Sequence, residues 1–443
     1  MEFKIVGNKP PRNTYSIGID CFFVHLFTYF LFIFIFDMKK LLVIGRTFPE
    51  PKTTAAGGHM MDILRFFQKM EYQIIFTSTA SLSEHSAQLE ALDIPLQNIV
   101  LNDSSFDELL LEFQADVVLF DRFITEEQFG WRVNEVLPAC VKILDTEDLH
   151  FLRRARERAL KANESFSSDH LYTDDAKREL ASILRCDLSL IVSAFEMNLL
   201  QETFNIPQAL LMYLPLLVDP TSKSENSSFT ERTHFISAGN FLHAPNLDAV
   251  KFLKHEIWPL IRAQLPQAEL HIYGAYAPEH IKQMHKPSEG FMIEGWIENL
   301  DEVMQNARIC LAPIRFGAGL KGKLMDAMRN GLPMVSTPVG VEAMYGEFQV
   351  PGVVANDADT IAKAAVDLYT NQSKWESCLA DIHVILYQGF NKIHFNQVFE
   401  ARLGKLRINL REHRKQHFFG QILQHESLLS TKYLSKWIEE KNR

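Results

Sequence analysis

Residues 312–344 read APIRFGAGLKGKLMDAMRNGLPMVSTPVGVEAM. An apolar run ends at Ile314, and a turn carrying Gly317 and Gly319 follows. A helical stretch then opens with Lys321 and Lys323, holds Asp326 within its first two turns, and stops at Gly331-Leu332-Pro333, where a second apolar run begins. Strand, glycine turn, helix, strand is the repeating unit of a parallel sheet with crossover helices. Backbone N–H groups at a helix N-terminus exposed by glycines form an anion site, and two lysines add mobile positive charge. A carboxylate one turn inside can accept hydrogen bonds from a ribose diol. A plain strand-to-helix turn with a solvated lysine pair fits the same residues, because glycine loops are common.

Outward from this unit, the pattern continues in both directions. HFISAG (234–239), ELHIYGA (269–275), GFMIEGWI (290–297), ICLAPI (309–314), PMVSTPV (333–339) and GVVAND (352–357) read as strands. Helix-like stretches at 246–264, 278–286, 298–307, 321–330 and 359–371 separate them. A first series precedes it: LLVIGRTF (41–48), YQIIFTST (72–79), NIVLND (98–103), ADVVLFDRF (115–123), CVKILDTED (140–148) and LSLIVSAFE (188–196), with a charged helical stretch over 153–180. Between the two series lies DPTSKSENSSFTERTH (219–234), too polar for a core and therefore a linker. The fold class is α/β, with two doubly wound Rossmann-like domains facing each other across a cleft. The expected organisation is an N-terminal extension (1–37), a first Rossmann-like domain (38–218), a linker (219–233), a second Rossmann-like domain (234–372), and helices crossing back to the first domain (373–443). Ligands of such sheets bind beyond the carboxyl ends of the strands, so the site should draw on strand ends of both halves.

Composition agrees with this class. The 443 residues exceed the size of one domain, and 47% hydrophobic with 23% charged residues excludes a disordered or collagen-like chain. A net charge of −10 argues against nucleic acid as a partner of the whole chain. The five cysteines are scattered and form no C-x-x-C pair, which points away from a disulfide framework or zinc ribbon and toward a reducing, cytoplasmic setting.

Both ends depart from this average. CFFVHLFTYFLFIFIF (21–36) holds seven of the 33 phenylalanines and no formal charge, near the lower limit of a spanning helix. No small-residue cleavage site follows it, which disfavours a secretory signal. A signal anchor flanked by Lys39 and Lys40 and a dispensable extension ahead of a start at Met38 both remain, with the second favoured. Residues 401–443 carry ten basic and four acidic residues, a net of +6, interleaved with Phe418, Phe419, Ile422, Leu423, Leu428, Leu429, Tyr433, Leu434 and Trp437. Such a helix can lie on the inner face of an anionic membrane, but most apolar stripes are core contacts, so packing against the first domain is favoured.

The quoted motif, Gly317-Ala318-Gly319-Leu320-Lys321-Gly322-Lys323 followed by Asp326 and Gly331-Leu332-Pro333, resembles the donor-site signature of retaining glycosyltransferases of the GT-B type. That large family contains sucrose synthases and bacterial mannosyltransferases. Phe241 to Val250, Gly274, Gly295-Trp296-Ile297 and the loop from Pro49 through Gly57-Gly58-His59 fit the same family, over roughly residues 39–390. The resemblance implies a metal-independent enzyme without a resident cofactor, moving a sugar from a nucleotide diphosphate to a glycan or lipid-linked acceptor in polysaccharide synthesis, with 38–218 as the acceptor-side domain and 234–372 as the nucleotide-sugar-binding domain. It implies donor binding by Gly57, Gly58, Asn240, Gly274, Gly295, Trp296, Ile297, Arg315, Gly317, Ala318, Gly319, Leu320, Lys323 and Asp326. Lys321, Asp148 and His150 would be the catalytic group. The family's usual arginine and lysine after the first strand of the second domain are replaced by Asn240 and Asn246, and its first carboxylate by Ala318. Arg315, Lys321 and Lys323 would then carry the diphosphate. His59 and His243 are weaker candidates. The same departures suit a non-catalytic nucleotide-sugar sensor, and a nucleotide-sugar epimerase shares the fold. Asp357-Ala358-Asp359 has the spacing of a metal-binding pair, but lies where a helix N-cap is expected, and no metal is assigned.

Overall fold

A computed structural model describes Met1, residues 38–219 and residues 227–442. The extension 2–37, linker residues 220–226 and residue 443 lie outside the described residues. Among the described residues, thirteen strands form two wholly parallel sheets. The first is ordered β3-β2-β1-β4-β5-β6-β7, with β1 Lys40–Gly45, β2 Gln73–Ser78, β3 Leu96–Asn98, β4 Val117–Asp121, β5 Val141–Asp145, β6 Leu188–Ile191 and β7 Leu211–Tyr213. The second is ordered β10-β9-β8-β11-β12-β13, with β8 Thr233–Ala238, β9 Leu270–Tyr273, β10 Phe291–Gly295, β11 Ala307–Ala312, β12 Met334–Ser336 and β13 Gly352–Val354. Each is doubly wound, so the α/β expectation holds.

Side-chain alternation explains the two-sided cores. Leu42 and Ile44 of β1 enter one apolar cluster, and Leu41 and Val43 enter another on the opposite face. Phe235 and Ile236 of β8 divide in the same way. One expected strand is misplaced: β3 covers Leu96–Asn98 and stops where the run 98–103 was to begin. Of its apolar residues only Ile99 enters the core, while Val100 and Leu101 are exposed. Asp357 caps the helix Ala358–Thr370, its carboxylate accepting from Thr360 N at 2.9 Å. Among the described residues no helix is long and apolar enough to cross a membrane, and no group of three side chains is placed to hold a metal ion.

The helices that bear on the site are α1 (Ala55–Lys69), α2 (Phe123–Val136), α3 (His150–Ala162), α4 (Asp174–Arg185), α5 (Ala194–Asn198), α6 (Ala244–Phe252), α7 (Gly322–Arg329), α8 (Lys392–Gln416) and α9 (Phe418–Asn442). Beside the linker, Val218 donates its N–H to Phe390 O and accepts from Lys392 N, and α8 runs back to the first domain. Phe395, Phe399, Leu403 and Leu406, spaced on one helical face, fill the cluster that holds β1. Phe399 stacks on Phe66 with ring centroids 4.5 Å apart.

Helix α9 also packs on the first domain, against α2 and α4, and most of its apolar stripe stays outside that seam. The buried positions are Gly420, Gln424, Leu428 and Ser435. Gly420 lies so close to the Leu184 carbonyl that an added Cβ would come within 2.1 Å. Gln424 donates to Arg185 O, and Arg132 pairs with Glu439. Phe418, Phe419, Tyr433, Leu434 and Trp437 are more than half exposed. The expected packing against the first domain is thus found, with Leu428 buried in the seam, while most of the stripe faces outward. A glycine allows close backbone approach, and polar groups already fill the seam.

Phe399→Ala should destabilise the first domain by about 3–5 kcal/mol, the range for a fully buried aromatic. Urea unfolding is the measurement, and a loss under 1 kcal/mol would show that α8 is not part of that core.

Candidate active site between the two sheets

The carboxyl edges of the two sheets face each other and touch. Helix α1 begins after Thr54, whose hydroxyl accepts from Gly57 N at 2.9 Å, and α7 begins after Lys321. The two helix N-termini meet: a Cβ built on Gly322 would stand 2.6 Å from the Ala55 Cβ. Gly57 is equally constrained, because its Cβ would strike the Glu50 backbone at 2.4 Å, whereas Gly58 faces open space. The positive ends of two helix dipoles thus meet in one volume.

Lys321 is buried, its Nζ donating to Gly319 O at 2.8 Å, and Lys323 Nζ donates to Asn246 Oδ1 at 2.8 Å. Burial pulls both ammonium groups down, Lys323 to about 8. Asp326 lies one turn deeper, 3.6 Å from Arg329, and burial raises it to about 6. Asn240 turns back on its own loop, its side chain accepting from Leu242 N and its carbonyl from Asn246 Nδ2. Gly274 packs so tightly on Gly239 that a Cβ would sit 2.0 Å from its carbonyl oxygen.

Three expected donor contacts are engaged elsewhere. The Arg315 guanidinium forms a two-pronged pair with Asp248, at 2.9 and 2.6 Å, over the Phe252 ring. Gly319, at φ +63, donates its N–H to Glu196 Oε1 at 2.8 Å. Gly317 O accepts from Arg156 at 2.8 Å, and Ala318 is buried among apolar residues of the first domain. The glycine turn therefore docks on the opposite domain. Leu320, at its end, packs against the second domain's core.

On the first-domain side, the loop after β5 carries Asp148 and His150. Asp148 pairs with Arg153, and His150 Nε2 lies 3.4 Å from Asp148 Oδ1. Burial alone would raise Asp148, but Arg153, His150 and His243 outweigh it and hold the carboxyl well below its usual range. Burial pushes His150 down to about 3, so its ring is neutral, and its Nδ1 has no hydrogen-bond partner among the described residues. His243, at the start of α6, belongs to the same electrostatic group across the interface and is pulled down by burial to about 4. His59 is buried with both ring nitrogens unpartnered, Nε2 standing 3.7 Å from Asp145 Oδ1.

Several contributors escaped the sequence reading. Glu196, in α5, accepts from Leu149 N at 3.0 Å as well as from Gly319 N, and Glu179, in α4, accepts from the N–H groups of His150 and Phe151. Burial raises both carboxyls, Glu179 to about 8. Arg156 joins Glu342 across the interface at 2.7 and 2.9 Å. Asp121, Arg122 and Glu147 close the carboxyl ends of β4 and β5. Arg122 has φ 68 and ψ 155, and Glu147 has φ 60, conformations that cost a side-chain-bearing residue about 1–3 kcal/mol. Asp121 and Glu196 each stand directly after an apolar run, and that acid-after-strand pattern was the available signal.

At the rim, Gly295 (φ +78) turns β10 toward Trp296 and Ile297. Trp296 packs on His85 at 4.5 Å between centroids, and its indole N–H donates to Lys52 O at 3.4 Å. Tyr276 donates to Glu50 at 2.9 Å, and Lys52 pairs with Glu298.

The comparisons with known proteins agree with this architecture. Residues 232–371 match the family model "Glycosyl transferases group 1". A Klebsiella pneumoniae relative, described as an uncharacterized 44.6 kDa protein in the cps region, is 26% identical over 170 residues, 37% of this chain and 44% of that protein. The matched region thus spans less than half of the relative's length. Anabaena HepE in complex with UDP is 13% identical and superposes with a TM-score of 0.62, covering 83% of this chain and 100% of that one. The pneumococcal O-GlcNAc transferase GtfA in complex with UDP and GlcNAc is 11% identical, with a TM-score of 0.61 and coverage of 84% and 99%.

Glu179 supplies a pH test of the site. Its carboxyl is raised in the folded state, so its contribution is complete below the unfolded value near 4.5 and is lost as pH rises toward 8. The depressed histidines act oppositely, but only below about 6.5. Stability should therefore fall between pH 6.5 and 8, and Glu179→Gln should flatten that slope in urea titrations. An unchanged slope would remove Glu179 as its source. Two Rossmann-like domains with facing carboxyl edges make this a GT-B fold, whose second domain, over residues 232–371, matches the model of the group 1 glycosyl transferases.

Proposed function

We propose that the protein transfers a sugar from a nucleoside diphosphate to an acceptor hydroxyl with retention at the anomeric carbon. The observation that carries this is the meeting of α1 and α7 at Ala55 and Gly322, with Lys321 and Lys323 beside it. Two helix N-termini and two ammonium groups suit a diphosphate, and they act by stabilising leaving-group charge. The group 1 family match over the second domain, and the UDP found in structural neighbours, support a nucleotide sugar as the ligand. Asp326 would accept from the ribose, and the Gly295 to Ile297 turn would flank the base.

The sheet edges are in contact, so donor entry requires them to part, and reclosure would exclude water. Glu196 holds the Gly319 amide meanwhile and would release it to the donor. His150 is neutral throughout the working pH range, which suits a hydrogen bond to a sugar hydroxyl more than proton relay. Asp148 orients it. No step in this scheme needs a metal ion or resident cofactor. Asn246 engaged with Lys323, and the Gly319 amide already occupied, favour a second reading as a nucleotide-sugar sensor. A sensor would bind donor and never release nucleoside diphosphate.

Both lysines gain charge when an anion arrives, so affinity should be full below pH 8 and decline above it. Titration with UDP from pH 7 to 9.5 should show this decline, and Lys323→Met should reduce it. UDP-, GDP- and ADP-sugar panels with free nucleoside diphosphate as readout then separate enzyme from sensor. A chain that binds none of them is neither.

The outward face of α9 supports a place in envelope polysaccharide synthesis, at the cytoplasmic face of a membrane. Trp437 and Tyr433 suit the interfacial zone, and Lys436 and Lys441 flank them. The full chain should sediment with vesicles of phosphatidylglycerol and phosphatidylcholine, and Phe418→Ser/Phe419→Ser/Trp437→Ser should reduce binding at least tenfold. Equal sedimentation of the triple variant would discard the contact.

A further inference from the structure

Three arginines stand at the carboxyl ends of three adjacent strands on the first-domain side. Arg46 follows β1, Arg122 follows β4, and Arg153 lies in the first turn after the β5 loop. Asp121 ties two of them together, its Oδ2 accepting from Arg46 N at 3.1 Å and from Arg122 Nη1 at 3.0 Å. Arg153 is paired with Asp148. Arg46 differs: its side chain is exposed, and no described residue offers its guanidinium a hydrogen bond or ion pair. Its electrostatic surroundings are dominated by Arg122, Asp121, Arg153 and Arg154, so like charges outnumber the carboxylate. Arg154 is itself matched by Asp175.

The backbone adds an independent sign. Arg122 occupies a region of φ and ψ that is essentially reserved for glycine, and such strain persists where a residue must be aimed. Its N–H is fixed by Asp145 O at 2.7 Å, which holds the side chain at the strand end beside Arg46. The neighbouring carboxyls Asp145 and Glu147 are pushed up by burial, which weakens their repulsion of an anion.

We propose that Arg46 and Arg122, with Arg153 behind them, bind an oxyanion carried by the acceptor, so that the hydroxyl receiving the sugar belongs to a phosphorylated or carboxylated molecule. This rests on the reading of the first domain as the acceptor side. Guanidinium groups match phosphate and carboxylate by paired N–H donors, and the planar fork gives direction as well as charge. A neutral sugar acceptor would leave Arg46 unmatched beside two other arginines. The site is distinct from the lysine pair at the start of α7, which lies on the opposite domain.

The test is calorimetric titration of the full chain, saturated with UDP, by glucose, glucose 6-phosphate and glucuronate. At least one charged probe should bind tenfold or more tightly than glucose, with an affinity that falls as salt is added. A response to the phosphate alone assigns a phosphorylated acceptor, and to the carboxylate alone an acidic sugar. Arg46→Ala should bring the charged probe to within twofold of glucose, and Arg46→Lys should keep part of the preference. Arg46 is exposed, so its variants should retain the parental melting temperature. Equal affinities for the three probes, no binding by any, or a preference that survives Arg46→Ala overturns the proposal. Failure of UDP itself to bind tells instead against the nucleotide-sugar reading, and the probes without UDP still report on the arginines.

Discussion

The carboxylate of Glu196 holds one backbone N–H from each domain, Leu149 in the first and Gly319 in the second. Everything around it follows from that double contact. Leu149 ends the loop that carries Asp148 and starts the helix that carries His150, so the bridge sets how far this loop projects. Gly319 ends the turn that leads into α7, so the same atom sets where Lys321 and Lys323 stand. Arg156 adds a second tie through Gly317 O and Glu342. The interface is polar and buried, and breaking one partner of such a network is costlier than never having formed it.

Burial explains the site's electrostatics. Carboxyls raised by desolvation stand beside lysines and histidines lowered by it, so fewer groups are charged at neutrality than the sequence suggests. Asp148 is the exception because Arg153 contacts it directly. An incoming diphosphate therefore meets helix termini and lysines that gain charge on binding.

The fold was largely legible because buried parallel strands read as continuous Val, Ile and Leu runs, and these recur along both halves. The run after β3 misled because it is apolar yet only Ile99 of it reaches the core. The lysine turn was legible as a unit, but its docking was not: nothing local marks Arg315 for Asp248 or Gly319 for Glu196. The first joins residues 67 positions apart within the second domain, and the second joins residues 123 positions apart across the two domains. Arg46 and Arg122 were invisible for a related reason, since single arginines after strands carry meaning only once the strand order makes them neighbours. The tail was read from its apolar residues, whereas its packing is decided by Gly420 and Gln424.

Because α8 completes the cluster that holds β1, the first domain is built from two separated pieces of chain. Its last aromatic and leucine side chains leave the ribosome only after the whole second domain has been made. The second domain is contiguous and can close around its own sheet while the first still exposes Phe66 and Phe67. Synthesis order and folding order are thus inverted, with the later-made domain finishing earlier. During that interval the open face is apolar and aromatic, which makes chain termination before residue 406 a route to aggregation.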